Sequence, residues 1–520
     1  MAKELIYRLA NPGYTIYHRA ALGGLAATVS AWKRKGGHPP ADIDYEVGRQ
    51  HVRLAWGDGL TDQEALGRIL AASFRLTPDK LIDLVGHGIA EGESDLRLAI
   101  HNGLCATFLQ HNKMRPSEKG SRHVGIRDAD GEETLFTYKA VLSYAHQKAQ
   151  GTDLLEPAKK GHPKGSFPAL ATIPQSVIPG AMSGVQTLET PPEDAILLLF
   201  LIAGSSVFLL RSRTYQERMQ TCVVVPDVND LVAFSRALHS IASVDVGRQS
   251  TAYRLPTSTY AGRVAGGPEE SALRFLVDLS ADDLTRPGIA SLQAIAMGKV
   301  AWDKNQVNRS LSVRIGTDYP EIRVFRAAYT YLGRTMIFKS AKGEGYAVPS
   351  SHVPELVAAN LAAGRHWAQH FRTLLETKKD FNHMLFAQKG LYQMKQVIKD
   401  EDDQTIIEMF QEAWRRAMAE LGARAVRDGL DFYRLVEVER ERIRNAILRT
   451  RTADALAGWF LRFCADATKG ASLSTAQRNP TRLREILFER HNFDRLQNLF
   501  LFALVSYAKD ETTTPSNGDA

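Results

Sequence analysis

Hydrophobic positions in the first part of the chain switch between a rhythm of two, which suits a half-buried strand, and a rhythm of three to four, which suits an amphipathic helix. Residues 4–9 read as a short strand, and the turn Asn11-Pro12-Gly13 leads into a helix over 14–35 with Ile16, Ala20, Leu25 and Val29 on its apolar stripe. The basic end Lys33-Arg34-Lys35 suits the negative end of a helix dipole. Residues 45–56 alternate as a strand, and Thr61-Asp62-Gln63-Glu64 forms a capping box ahead of a helix over 65–74. A further helix is expected over 95–110. Between 147 and 192 the residues are too rich in Pro, Gly, Lys and Ser for regular structure, so this stretch is expected to be a connector. Pro191-Pro192-Glu193-Asp194 then opens a buried helix, followed by a hairpin of 207–211 and 221–225 around a basic turn. A helix over 227–241 and strands over 273–278, 292–300 and 311–315 complete the strand-bearing part.

Beyond Leu374 the two-residue rhythm stops. Phe410, Trp414 and Leu421, then Phe432, Val436, Ile443 and Ile447, then Leu456, Trp459, Phe460 and Phe463, and finally Ile486, Phe493, Leu496, Phe500 and Leu504 recur at helical core spacing. The pattern predicts an α+β protein with a large mixed α/β part over 1–374, an all-helical bundle over 375–510 and a polar, disordered tail over 511–520.

Composition narrows the class. With 44% hydrophobic and 24% charged residues the chain of 520 residues is a folded globular protein, and its net charge of +7 matters only where cations cluster. Cys105, Cys222 and Cys464 are odd in number and far apart, which provides neither a disulfide framework nor a zinc ribbon and fits a reducing, cytoplasmic setting. The longest apolar stretch, 195–210, is broken by Gly204-Ser205-Ser206 and is too short to cross a bilayer, so no membrane role is expected.

Catalytic signatures are missing. Gly298-Lys299 lacks the upstream glycine of a phosphate loop, Gly86, Gly88 and Gly92 miss the dinucleotide spacing, and no nucleophile elbow occurs. His366 and His370 lie four residues apart, where a helix would aim both at one metal, but the zincin glutamate is replaced by Trp367. His101, Cys105 and His111 spread around their helix, so a buried structural Cys105 is the simpler reading. Glu401-Asp402-Asp403 is either a metal-binding acidic patch or the acidic start of a helix. No catalytic residue, metal or cofactor is assigned.

The cations are better organised. Lys113, Arg115, Lys119, Arg122 and His123 gather in one Gly/Ser/Pro-bearing loop, and Lys159, Lys160, His162 and Lys164 in another. Such loops follow a phosphate backbone or are simply solvated. Arg211, Arg213 and Arg218 sit at the hairpin tip, a candidate wedge for a groove. The segment 300–309 holds Trp302 with Lys304, Gln306, Asn308 and Arg309, side chains that hydrogen-bond to base edges, and its alternative is a polar edge strand. In the helical part Arg440, Arg444 and Arg451 belong to a lysine-free arginine series suited to phosphates, although Glu437, Glu439 and Glu441 offer ordinary helix ion pairs.

The opening YRLANPGYTIYHRAALGGLAATVSAW, the block PPEDAILLLFLIAGSSVFLLRSRTYQERMQTCVVVPDVNDLVAFSRAL and the segment VAWDKNQVNRSL resemble the large subunit of the type I CRISPR surveillance complex Cascade, in its I-B and Myxococcus-type branch. The resemblance implies a non-catalytic subunit, binding DNA and RNA within a ribonucleoprotein complex of antiviral defence. It would recognise the protospacer-adjacent motif (PAM), help unwind target double-stranded DNA into an R-loop, support the displaced strand and dock the helicase-nuclease or transposition proteins. Implied partners are the guide RNA through its 5′ handle and the backbone, handle-binding and small subunits. It also implies that the helical end is made separately from an internal start, for which Met384 and Met394 are the candidates. The rival readings are a metal-dependent nuclease of a defence or mobile-element system, and a guide-independent nucleic-acid scaffold.

Overall fold

Glycine and alanine crowd the first helix of the chain, and that composition decides how the first part folds. The computed structural model describes residues 3–34, 36–89, 94–109, 115–127, 133–148, 192–211, 220–241, 264–280, 287–296, 311–333, 335–339, 345–469, 472–489 and 492–508. They form two units, one made of 1–318 with 335–348 and one made of 319–334 with 349–520.

In the first unit β1 (Lys3–Arg8) runs into α1 (Ile16–Trp32), and β2 (Ile43–Val47) and β3 (His51–Trp56) follow as a hairpin that closes an antiparallel sheet of order β1-β3-β2. The single strand expected over 45–56 is therefore two. The chain reverses where the Gly48 N–H donates to the His51 carbonyl at 2.9 Å, and the alternation continues on either side of that turn. The capping box forms as expected: Thr61 and Glu64 satisfy each other's backbone N–H at the start of α2 (Asp62–Ser73). Short antiparallel pairs β4 (Phe74–Leu76) with β5 (Ile82–Leu84), and β6 (Arg122–Arg127) with β7 (Glu133–Tyr138), flank α3 (Ser94–Ala106).

After α4 (Ala145–Lys148) come α5 (Pro192–Leu198) and α6 (Leu201–Gly204), then the anticipated hairpin of β8 (Ser206–Leu210) and β9 (Gln220–Val228), and α7 (Leu231–Ile241). The strand expected over 273–278 is a helix, α8 (Pro268–Leu279). Its core is buried all round, including the Glu270–Arg274 ion pair, so the amphipathic spacing that would betray a helix is lost; Pro268 in the first turn with Glu269 and Glu270 is the start signal that remains. β10 (Ile289–Ala296) and β11 (Leu311–Gly316) complete a four-stranded antiparallel sheet of order β11-β10-β9-β8. β12 (Thr335–Lys339) pairs with β13 (Gly345–Pro349).

From Ala20 to Val29 every residue of α1 is buried, enclosed by α6, α7, β9 and the turn at Val85–His87. Backbone meets backbone there: a Cβ on Gly204 would lie 1.9 Å from the Ala20 carbonyl oxygen, and one on Gly24 would lie 2.3 Å from that of Phe200.

The second unit is helical. It contains α9 (Ile322–Leu332), α10 (Val353–Ala362), α11 (Lys378–Phe386), α12 (Gln388–Gln396), α13 (Glu401–Asp428), α14 (Phe432–Arg449), α15 (Ala453–Thr468), α16 (Ser474–Arg478), α17 (Pro480–Arg484) and α18 (Phe493–Ser506). Asp400, Asp431 and Thr452 cap the three long helices with their side chains, and Gly429 ends α13 in the left-handed region at φ 64°. Phe410, Phe460, Phe463 and Phe500 stack with Trp459 at centroid distances of 4.3–6.3 Å to make the bundle core. The chain is thus α+β with an all-helical C-terminal region. The division at 374/375 read from the sequence falls inside the second unit, which also takes in α9 and α10. No helix among the described residues is long and apolar enough to cross a membrane.

Gly204→Ala and Gly24→Ala should each destabilise the first unit by on the order of 1–3 kcal/mol, because the added methyl meets main-chain atoms that cannot rotate away. A drop in melting temperature for both, against no drop for Gly458→Ala, whose added Cβ meets nothing within 4 Å and which improves helix propensity, checks this.

Candidate nucleic-acid interface

The sequence candidates fall in three groups. Lys304, Gln306, Asn308 and Arg309, together with Arg213, Arg218, Lys159, Lys160 and Lys164, lie outside the described residues, as does nearly all of the 147–192 connector. Arg211 directly follows β8, half-buried, with its N–H donating to the Ala265 carbonyl at 2.8 Å. Arg440, Arg444 and Arg451 are all described, and they do not share an environment. Arg444 is buried at 5% exposure, donates to the Thr377 carbonyl and Asn445, and lies over the Phe381 ring. Arg440 is half-buried over Trp414, where burial holds its pKa below the ordinary value. Arg451 stands in solvent, as do Arg434, Arg442 and Arg449 on α14.

Of the basic loop at 113–123, Arg122 and His123 open β6. Arg122 forms a two-pronged ion pair with Glu118 at 2.8 and 3.0 Å, and Arg115 donates to the Leu109 carbonyl. Cys105 is largely buried, with its thiol pushed up to about 11 by desolvation. His101 accepts from the Ile82 N–H through Nδ1 and bonds the Lys139 carbonyl through Nε2; burial holds it neutral with a pKa of about 4. Both are packing residues.

The roots of the 297–310 segment are well defined. Ala296 and Leu311 pair directly, so the segment leaves and returns at neighbouring points of one sheet. Three residues inward, about 10 Å along the strands, Gln293 faces Arg314 in register. Ser312 accepts from Gln293 Nε2 at 2.8 Å on the same face. Arg314 reaches across the strands: Nε and Nη2 donate to Ser291 Oγ at 3.2 and 3.1 Å, and Nη2 also meets Asp227 Oδ2 at 3.1 Å. The other oxygen of Asp227 takes Arg19 Nε from α1 at 2.5 Å, and Arg19 Nη1 donates to the Tyr14 carbonyl. A carboxylate with a 10% exposed side chain thus holds two guanidinium groups, of which Arg314 is 67% exposed. Tyr14 stacks on His18 beside them, and desolvation is the main force holding the His18 pKa below its ordinary value.

The sequence reading missed Arg19, Asp227, Gln293 and Arg314. The signal was present in the strand alternation, which puts Ser312 and Arg314 opposite Val313 and Ile315. The cross-strand partners depend on register, which a single sequence does not reveal.

A second polar cluster lies in the helical unit. His366 and His370 are not on a helix: α10 ends at Ala362, Gly364 turns the chain at φ 65°, and the buried Asn360 amide donates to the carbonyls of Trp367 and Gln369, holding a tight turn. His370 itself is left-handed at φ 62°. The Asp402 and Asp403 N–H groups donate to Asp400 Oδ1 as at a helix start, but the Asp403 side chain is buried. Glu321, His366 and Asp403 bring ligand atoms within 4.8 Å of one another. Their lone pairs are already used. The Ala368 N–H donates to His366 Nδ1, which leaves Nε2 to donate to Asp403 Oδ2 at 2.9 Å. Trp367 Nε1 takes that same oxygen at 2.7 Å, and Arg495 takes Oδ1 at 2.7 Å. The chemistry is that of a buried ion-pair staple.

Burial pushes the Asp403 carboxyl up, but His366 and Arg495 outweigh it and hold the pKa below the ordinary value. Burial, with the charge of Asp403, holds Glu321 above its ordinary value. Asp403 therefore stabilises the fold at neutral pH, a contribution lost as pH falls through its depressed folded pKa, whereas ionised Glu321 costs stability as pH rises through its own. Asp403→Ala should destabilise the helical unit by about 3–5 kcal/mol, since it leaves the buried Trp367 Nε1–H and His366 Nε2 without their acceptor and Arg495 with Asp400 alone. Glu321→Gln, which keeps the acceptor for the Trp367 N–H, should leave the melting temperature at pH 7 unchanged or raised. Thermal unfolding at pH 7 and pH 4 measures both.

Comparison with known proteins places this geometry in context. A family model described as the DevT N-terminal domain matches residues 6–199, and one described as the DevT C-terminal domain matches residues 394–519. The CRISPR-associated protein Cas8a1/Csx13 of Myxococcus xanthus is 25% identical over 402 residues, which cover 73% of this chain and 65% of that protein. The chain therefore spans just under two thirds of that relative's length.

Proposed function

The chain belongs to the DevT family of CRISPR-associated proteins, matched at both of its domains, and from that premise we propose that it is the large subunit of a type I, Myxococcus-type Cascade complex. In this reading it binds a guide-RNA complex through the 5′ handle, recognises the protospacer-adjacent motif as duplex DNA, helps open the duplex and offers a surface to the helicase-nuclease or to transposition proteins, without turnover of its own. The observation that carries the reading is the similarity to Cas8a1/Csx13 over 73% of the chain. The division of labour is that of RNA-guided recognition generally, in which protein reads a few base pairs and backbone shape while pairing reads the rest.

Lys304, Gln306, Asn308 and Arg309 contact the region of the motif, Arg211, Arg213 and Arg218 supply a wedge, and Lys159, Lys160 and Lys164 follow the backbone. In the helical unit the strand-facing role suits Arg451 together with the exposed Arg449, because Arg444 is spent inside the bundle and Arg442 on Glu439. The C-terminal family model begins at residue 394, the position of Met394, which supports a separately made small subunit. Both Met384 and Met394 are buried, so such a product would have to cover the apolar surface that residues before its start cover here.

Co-expression with the neighbouring backbone and guide-processing subunits should yield a complex holding a short RNA with a repeat-derived 5′ end, and its affinity for target duplex should fall steeply with salt. A chain that purifies without guide and cleaves DNA when Mg²⁺ or Mn²⁺ is added would favour the nuclease instead. Mass spectrometry of the complex should show a C-terminal fragment beside the full chain, lost when Met384 and Met394 are replaced by leucine; a single full-length species in both would refute the internal start alone.

A further inference from the structure

We propose that Arg19 and Arg314, held side by side on Asp227 at the edge of the four-stranded sheet, form a phosphate clamp for the nucleic-acid backbone; this rests on the DNA-binding reading above. Three observations carry it. First, one buried carboxylate needs one counter-charge, yet Asp227 holds two guanidiniums, one on each oxygen, so the trio carries one net positive charge, with the Asp194 carboxylate acting on Tyr14 and His18 beside it. Two like charges brought together repel, and a bound anion relieves that cost. Second, the donors are pre-aimed. Arg314 spends Nε and Nη2 on Ser291 and Asp227, and Arg19 spends Nε and Nη1 on Asp227 and the Tyr14 carbonyl. Arg314 Nη1 and Arg19 Nη2 have no partner among the described residues. Each guanidinium is thereby fixed by one edge and offers another, so little rotamer entropy is lost on gripping a phosphate bidentately.

Third, the surroundings suit a polymer rather than a free ion. Gln293 and Ser312 continue the polar column along the same face, and the strands carrying it lead within three residues into 297–310, where Lys304, Gln306, Asn308 and Arg309 are found. Phosphate contacts set register and orientation, and base contacts set sequence preference. The clamp thus positions and does not read.

The test uses the full chain assembled with its guide RNA and partner subunits, and two fluorescein-labelled duplexes that share a target and differ only in the adjacent motif. Arg314→Ala should weaken both duplexes alike, by about tenfold, and reduce the slope of log affinity against log salt by about one, with the ratio between the duplexes unchanged. Arg314→Lys should recover part of the loss, keeping the charge without the fork. Ser312→Glu, which adds a carboxylate at an exposed position and removes no arginine bond, should weaken binding similarly and guards against a folding defect in the arginine variants. Wild-type affinity and salt slope in both Arg314→Ala and Ser312→Glu would overturn the clamp while leaving the DNA-binding reading intact. A loss confined to one duplex would overturn it too, since that outcome makes Arg314 a base reader. A wild-type complex that binds neither duplex would bring down the DNA-binding reading and the clamp with it.

Discussion

At Gly24 and Gly204 two helix backbones lie so close that a methyl group on either would overlap main-chain atoms of the other. Helices approach to that distance only where side chains are absent, and the run of Gly and Ala from Ala20 to Ala27 clears the space along most of α1. The close approach has a consequence in the first turn of the same helix. Locked at Ala20 and Gly24, α1 has no freedom to rotate, so its first turn must present Arg19 to β9, where Asp227 meets it. Arg19 is therefore positioned by Gly24, about one and a half turns along its own helix, and by Gly204 on α6.

The helical unit is held differently. Its aromatic core is non-directional and would tolerate several packings, whereas the staple of Asp403 with His366, Trp367 and Arg495 admits one. A buried ion pair is a weak source of net stability, because desolvation offsets most of the attraction, and its use is to make alternatives costly. Here it ties the start of α13, the turn after α10 and the start of α18. These three segments are remote in sequence, and the staple works beside the Arg495–Asp400 ion pair and the bond from the Arg372 N–H to Asn498 Oδ1.

What was legible in the sequence follows from this physics. Local signals were read correctly where they act locally: the capping box at Thr61, the hairpin of β8 and β9, and the aromatic spacing of the bundle. Misreadings arose where the environment is uniform or the determinant remote. α8 is buried on nearly every side, so periodicity carries no information there, and its apolar run reads as a strand. His366 and His370 have helical spacing, but Gly364 and the Asn360 amide bend the chain before a helix can include them. Arg440 and Arg444 looked like Arg451 in sequence because an arginine stacked on Phe381 or Trp414 differs from a solvated one only in its tertiary neighbours. The polar column of Gln293, Ser312 and Arg314 depends on strand register.

The distribution of charge bears on how such a protein avoids binding nucleic acid indiscriminately. A net charge of +7 on 520 residues is small, and several described arginines of the first unit are answered by their own carboxylates, as in Arg53–Glu4, Arg49–Asp230 and Arg122–Glu118. Each pair lowers the long-range field that would draw in any duplex, and long-range attraction is what drives non-specific association. The arginine pair on Asp227 is the partial exception: there the neutralisation is half complete, and the excess is confined to one short stretch of sheet. A single clamp supplies too little attraction to hold DNA by itself. It adds to other contacts only when a guide-bearing complex holds the duplex in reach, and confining the excess charge in this way keeps affinity conditional on assembly.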